Sequence, residues 1–107
     1  MNHCSIYITT PDRDNAMLIG RTLVQERLAS CANLLGEITS IYWWDGKMNE
    51  AGEFAMLAKT TDERVAALIA RVKMIHPYKV PCIVAWPIAA GYQPFLDWIS
   101  AEAMPTA

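Results

Sequence analysis

The chain has 107 residues, 53% of them hydrophobic, with nine Lys and Arg against eleven Asp and Glu and a formal net charge of -2. This composition predicts one domain, spanning residues 1–107, with a core that needs neither disulfides nor a structural metal. The two signs of charge are interspersed and form no basic stripe that could follow phosphates, which argues against a nucleic-acid partner.

Three features of the sequence predict a cytoplasmic protein with no membrane partner. No apolar run approaches the roughly 20 residues that a membrane-spanning helix needs. The segment from Met1 to Ser5 lacks the basic and apolar regions of an export signal. The cysteines, Cys4, Cys31 and Cys82, are odd in number and widely spaced, which favours a reducing compartment over a disulfide framework.

The first strand and the first helix follow from two different periodicities. Ile, Tyr and Thr are frequent from His3 to Thr10, and Pro11 ends this predicted strand. From Asp14 onward apolar residues recur at helical spacing, namely Ala16, Ile19, Leu23, Val24 and Leu28. Gly20 lies inside this helix at a cost of about 1 kcal/mol relative to Ala, so we expect it to pack closely against the sheet.

A long β-hairpin is predicted next. A β segment from Ala32 to Trp44 leads into Asp45-Gly46, a hairpin-turn signal, and a return strand runs from Lys47 to Thr61. Strands rise about 3.3 Å per residue and helices about 1.5 Å, so the hairpin outruns any helix that covers it. Its outer part carries large apolar side chains, namely Tyr42, Trp43, Trp44, Met48 and Phe54. We expect a partner subunit to cover them, because an exposed aromatic ribbon invites aggregation.

The rest of the chain predicts a second helix, a fourth strand and a short terminal helix. Asp62 is expected to cap a helix that ends at His76-Pro77 and buries Val65, Leu68, Ile69, Val72 and Ile75. A strand is predicted from Cys82 to Pro87, and Pro94 suits the first residue of the terminal helix. The order β-α-β-β-α-β plus a helix predicts an α+β fold, the ferredoxin-like split β-α-β sandwich with an extended hairpin.

Five short segments, taken together, carry a family resemblance. They are E-R-L-A-S-C-A-N-L (Glu26 to Leu34), Y-W-W-D-G-K (Tyr42 to Lys47), L-A-K-T-T (Leu57 to Thr61), H-P-Y-K-V-P (His76 to Pro81) and F-L-D-W-I (Phe95 to Ile99). In order and spacing they resemble the CutA family, over nearly the whole chain. The resemblance implies a ferredoxin-like protomer, a homotrimer with strands pairing between subunits, and a role in tolerance to divalent cations, notably copper.

The chain departs from the family pattern after Pro81, where the family has an acidic residue and this sequence has Cys82. Cys82 and His76 are nevertheless the candidate metal ligands, because the predicted topology brings both to one end of the sheet. Imidazole suits Cu²⁺ and Zn²⁺, and thiolate suits Cu⁺ and Zn²⁺, so this pair predicts a site for copper or another divalent metal. The alternative is that His76 only ends the second helix, where an imidazole bonds the terminal carbonyls.

Four residues are candidates for a ligand cleft between subunits: Cys31, Lys59, Tyr78 and Trp44. Lys59 lies in an apolar strand, where a buried cation needs a partner, so it either forms an ion pair across the interface or contacts a small anion. Cys31 is either a small buried hydrophobe or a soft metal ligand. Trp44 is either an interface anchor or a ligand contact, and Tyr78 is predicted to line the same cleft.

Two functions therefore stay open on the sequence. The first is a homotrimer that responds to or binds divalent metal ions. The second, by fold analogy alone, is a trimeric signalling or scaffold protein that binds a small anionic metabolite between subunits. The sequence has no nucleophile elbow, Gly-rich phosphate loop or H-E-x-x-H motif, so we expect no enzyme activity.

Overall fold

A computed structural model describes residues 2–105 of the chain. The elements in chain order are β1 (His3–Thr10), α1 (Arg13–Gln25), β2 (Cys31–Trp44), β3 (Lys47–Thr61), α2 (Val65–Ile75), β4 (Ile83–Pro87) and α3 (Gln93–Glu102). A 3-10 turn, Asp62–Arg64, joins β3 to α2. The predicted order of strands and helices is present, and the α+β fold class is confirmed.

Within residues 2–105 the strands form a four-stranded antiparallel sheet in the order β2-β3-β1-β4. β1 runs antiparallel to β3, from His3 opposite Thr61 to Thr10 opposite Phe54, and pairs with β4 on its other side. β2 and β3 pair out to Trp44 opposite Lys47. Helices connect β1 to β2 and β3 to β4, which is the split β-α-β arrangement of ferredoxin-like folds.

One face of the sheet packs against α1 and α2 and forms the core. Successive strand residues point to opposite faces, so alternate residues of β1 and β3 are buried under the helices. The fully buried members of this cluster are Ile6, Ile8, Ala16, Ile19, Leu23, Met56, Ala58, Leu68 and Val72. Each large apolar side chain enclosed in this way contributes about 1.5 to 3 kcal/mol of burial free energy, which holds both helices on this face.

The packing of α1 agrees with the prediction from the sequence, except near the C-terminal end of the helix. Asp12 caps the helix, because its carboxylate accepts a hydrogen bond from the Asn15 N–H at 2.9 Å. A Cβ at Gly20 would lie 3.3 Å from the Ala32 Cβ on β2, which confirms the predicted close packing. Val24 is 39% exposed, although the periodicity placed it on the buried stripe.

The predicted cap of α2 by Asp62 is wrong. The residue before α2 is Arg64, which makes no side-chain cap hydrogen bond within the described chain. Asp62 begins the 3-10 turn, and its carboxylate acts on the Cys4 thiol of β1 instead. Burial, reinforced by this carboxylate, raises the pKa of Cys4 to about 11. Asp62 therefore affects the Cys4 thiol on β1 and does not cap α2.

The β2–β3 hairpin extends beyond the helices. Asp45 and Gly46 both have positive φ, 54° and 75°, as a two-residue type I′ turn requires. The molecule is elongated, with extents of 44 × 28 × 22 Å. Near the tip Ile41, Trp43 and Met48 are 64%, 76% and 64% exposed. The long hairpin is confirmed, but the placement of Phe54 on its uncovered part is wrong, because Phe54 pairs with Thr10 and is buried in the core. The cover of the hairpin by a partner stays a prediction.

α3 lies against β1 and β3 on the other face of the sheet. His3, which alternates with the core residue Cys4, has its Nε2 2.7 Å from the Ser100 Oγ on α3. Ile99 on this helix is fully buried, and the Arg27 guanidinium forms an ion pair with the Glu102 carboxylate. Among the described residues no helix is both long enough and apolar enough to cross a membrane.

Candidate functional site

A cleft of about 650 Å³ opens on the sheet face opposite α1 and α2, beside the end of β1. β1, β2, β3 and the segment between α2 and β4 form its walls. The side chains that matter most for its chemistry are Tyr7, Tyr42, Trp44, Glu53, Tyr78 and Cys82. The volume falls within the range of small-molecule sites, which are mostly apolar with a few polar groups.

A β-bulge decides which residues of β2 face this cleft. Leu34 pairs with Met56 and Gly36 with Ala55, so the strand carries one extra residue at this point. Before the bulge odd-numbered residues such as Asn33 share the cleft face, and after it even-numbered residues do. The bulge therefore turns Tyr42 and Trp44 toward the cleft, and Gly36, with φ of 137°, supplies a backbone conformation that side-chain-bearing residues rarely adopt.

Tyr78 and Glu53 form the polar contact of the cleft. The Tyr78 hydroxyl donates a hydrogen bond to the Glu53 Oε2 at 3.0 Å. Burial, followed by the Glu53 carboxylate, raises the pKa of Tyr78 to about 12. The phenol therefore remains neutral at physiological pH and acts as a donor to the carboxylate.

His76 fixes the segment that carries Tyr78. Its Nε2 lies 2.8 Å from the backbone oxygen of Thr9, and the Tyr78 N–H donates to its Nδ1 at 3.1 Å. An Nδ1 that accepts a hydrogen bond carries no proton, so we assign the proton to Nε2, which donates to Thr9. The ring is only 7% exposed. Both nitrogens are thus engaged by the protein itself.

The residues of one chain do not fit the predicted metal site. His76 has no free ring nitrogen, and Cys82 lines the cleft together with Glu53, whose carboxylate accepts the Tyr78 hydroxyl. Within residues 2–105, no three His, Cys, Asp or Glu side chains are arranged to hold a metal ion. The alternative assignment, in which His76 ends α2, agrees with its position as the C-terminal cap of that helix, although its ring bonds the Thr9 oxygen of β1 and not the terminal carbonyls of α2.

The four predicted cleft residues separate into two pairs. Trp44 and Tyr78 line the cleft together. Cys31 and Lys59 lie opposite each other on β2 and β3, near the other end of the sheet. The Lys59 ammonium donates a hydrogen bond to the Asn33 side-chain oxygen, and Cys31 is half-buried. Within one chain, Cys31 and Lys59 therefore lie outside this cleft.

Of the six side chains named above for the chemistry of the cleft, three were not predicted from the sequence as site residues: Tyr7, Tyr42 and Glu53. Tyr7 alternates with the buried residues Ile6 and Ile8, so the strand pattern already placed it on the second face. Tyr42 was assigned to the hairpin but not to a cleft, because the bulge was not anticipated. Glu53 carried no local signal, since its role depends on contact with a distant loop.

The sequence model of the CutA1 divalent ion tolerance protein family matches residues 4–102. The chain belongs to this family. The divalent-cation tolerance protein CutA of Archaeoglobus fulgidus is 45% identical over 97 residues, which cover 91% of this chain and 94% of that protein. The CutA of Thermus thermophilus is 47% identical over 94 residues, which cover 88% of this chain and 91% of the relative.

Solved structures of CutA proteins have the same fold as this chain. The Thermus thermophilus divalent cation tolerance protein superimposes with a TM-score of 0.91 at 44% identity, covering 94% of this chain and 97% of that one. The Archaeoglobus fulgidus protein, named there a periplasmic divalent cation tolerance protein, gives a TM-score of 0.92 at 43% identity, with coverages of 95% and 99%. These similarities place the chain among the divalent-cation tolerance proteins.

Proposed function

We propose that this protein acts in tolerance or response to divalent cations as a cytoplasmic homotrimer, each subunit being one domain of residues 1–107, and that it is not an enzyme. Membership of the CutA1 family supports the cation role. The three free thiols suit a reducing compartment. The single observation that carries the assembly is the hairpin, whose large apolar side chains are left in water by one chain alone.

The exposed apolar surface and the free strand edges both favour assembly. Trp44 is 54% exposed and Trp43 76%, and patches of this kind mark interaction sites in soluble proteins. β2 and β4 are the edge strands of the sheet, and unpaired strand edges are open to pairing with another chain. A closed ring of three subunits would cover the exposed apolar side chains and pair the free strand edges.

Copper, or another divalent cation, is proposed as a ligand of the assembled trimer and not of a single chain. Two observations support this: the family is that of divalent ion tolerance proteins, and one chain has no fitting set of three ligands among its described residues. The alternative of an anionic metabolite is not favoured by the cleft, because the predicted cation Lys59 lies outside it, and inside it the half-buried carboxylate of Glu53 offsets the exposed ammonium of Lys79.

The test compares two metals across matched variants. Cu²⁺ and Zn²⁺ are titrated calorimetrically into the parent protein, His76→Gln, Cys82→Ser and His3→Ala at equal trimer concentration. Zn²⁺ is needed because Cu²⁺ heads the Irving–Williams order and binds almost any exposed histidine. We expect the trimer to bind metal, with His76→Gln equal to the parent. Binding that disappears in His76→Gln would contradict the conclusion that both ring nitrogens of His76 are engaged by the protein itself.

A further inference from the structure

The C-terminal end of α1 has an arginine where a glycine is usual. The Leu28 N–H donates to the Leu23 oxygen at 2.9 Å and the Arg27 N–H to the Val24 oxygen at 3.1 Å, which is the hydrogen-bond pattern of a Schellman motif. Arg27 has φ of 61°, a left-handed conformation that is costly for a residue with a side chain. Its side chain therefore needs a contact that offsets this cost.

That contact joins Arg27 to the C-terminal end of α3. The guanidinium forms an ion pair with the Glu102 carboxylate and donates a hydrogen bond to the Glu102 backbone oxygen at 3.4 Å. α3 has no basic residue in its own last turn, and Glu102 places a carboxylate at the negative end of the helix dipole. Arg27 thus supplies, from another element, the cation that this helix end lacks.

Few buried groups attach α3 to the rest of the subunit. Ile99 on the helix and Ala103 just after it are buried. Among the described residues, the core cluster between the sheet and the helices α1 and α2 includes no residue of α3. Tyr92, the residue before α3, makes no side-chain cap hydrogen bond within the described chain. The helix can therefore leave the sheet without disturbing the main core.

We propose that Arg27 is a latch for α3, and that α3 opens from the sheet as a unit while the rest of the subunit stays folded. The latch acts within one subunit and is separate from the proposed role in cation tolerance. The contact between His3 and Ser100, at 2.7 Å, also holds the helix, so loss of Arg27 shifts the opening equilibrium and does not abolish the docked state. The Arg27 and Glu102 side chains are 44% and 41% exposed, so solvent screening keeps the shift moderate.

Hydrogen exchange of the full-length protein, read by peptide mass spectrometry, measures the opening of each element. Arg27→Gly and Arg27→Asn both suit the left-handed conformation, and both remove the guanidinium. We expect the amides of α3 to exchange roughly threefold to tenfold faster in both variants, while the amides of α1 exchange no faster than in the parent. Arg71→Gln is the matched control, because the ion pair of Arg71 with Glu26 joins α2 to the end of α1 and involves no residue of α3.

The proposal is overturned if α3 exchanges at the parent rate in both Arg27 variants, because the contact would then not hold the helix. It is also overturned if α1 and α3 exchange faster by the same factor, which would mean that α3 does not open alone. Equal acceleration of α3 in Arg71→Gln would assign the effect to the loss of any surface ion pair. All samples are compared at a protein concentration at which parent and variants sediment alike, so that assembly does not alter the rates.

Discussion

The imidazole of His76 accepts the Tyr78 N–H at 3.1 Å on one side and donates to the backbone of β1 on the other. The two rings also lie with centroids 4.9 Å apart and planes tilted by 53°. The end of α2, the end of β1 and the wall of the cleft are thus joined through one side chain. Because Tyr78 contacts Glu53, His76 positions the polar contact of the cleft.

Because His76 joins these elements, we expect the His76→Ala variant to be less stable than the parent. The change removes two hydrogen bonds and leaves the Thr9 oxygen and the Tyr78 N–H without these partners, so the free energy of unfolding should fall by about 2 to 3 kcal/mol. Urea unfolding measures this fall, and the protein concentration is held fixed because assembly makes stability concentration-dependent. His76→Gln, whose amide can still donate toward Thr9, should recover part of the loss. Equal stability of parent and His76→Ala would contradict the prediction.

The Cys4 thiol predicts a loss of stability in alkaline solution. Burial, aided by Asp62, raises its pKa from 9.0 to about 11. Below pH 9 the thiol is protonated in both the folded and the unfolded chain, so its contribution to stability is fully present. Between pH 9 and about 11 the unfolded chain releases this proton while the folded chain keeps it, and the free energy of unfolding falls as the pH rises.

Urea unfolding at pH 8 and pH 10.5 measures this loss. Cys4→Ala should be less stable at pH 8, because it leaves a small cavity, but its stability should fall less between the two pH values. The pKa of Tyr78 is also raised, so its phenol adds a similar loss of stability above pH 10. The Tyr78→Phe variant removes this contribution and leaves that of Cys4. Identical pH dependence in parent and Cys4→Ala would show that Cys4 is not the titrating group.

Most of the element order could be predicted, because each strand and helix has its own periodicity and its own end signal. Asp45-Gly46 fixed the hairpin turn, and Gly20 indicated close packing against β2. Asp62 could not be placed in the same way, since its partner is Cys4, which lies on a distant strand. The hydrogen bonds of His76 likewise depend on β1 returning beside the end of α2.

The cleft was harder to predict than the fold, because its composition depends on one irregular residue. Strict alternation along β2 would place Asn33, Trp43 and other odd-numbered residues on one face. The bulge between Leu34 and Gly36 reverses that assignment and brings Trp44 into the cleft. A glycine inside a strand pattern was the available signal, since such glycines often mark bulges.

Gly36→Ala tests the bulge. The residue has φ of 137°, and nothing lies within 4 Å of an added Cβ, so any cost comes from the backbone alone. We expect the free energy of unfolding to fall by about 1 to 3 kcal/mol. Gly52→Ala on β3 is the matched control, because its Cβ site is equally open and its φ is not positive. Equal stability of the two variants would mean that the bulge does not need glycine.

Trp44→Ala should loosen the assembly. Truncation of a large aromatic anchor typically costs about 3 kcal/mol or more, which corresponds to a fall of over a hundredfold in an association constant. Sedimentation velocity over a dilution series measures the change. Met74→Ala on α2 is the control, because that side chain is 77% exposed but lies away from the hairpin. An unchanged oligomer in Trp44→Ala would argue against the hairpin as an interface.

Native mass spectrometry of the full-length protein, recorded with and without added Cu²⁺, tests the central claim most directly because it reads subunit number and bound metal in one spectrum. We predict a dominant species at three times the mass of one chain at micromolar concentration, with copper retained on the trimer and absent from any residual monomer. A dominant monomer would contradict the proposed assembly. Copper bound equally to monomer and trimer would contradict the proposal that more than one subunit forms the metal site.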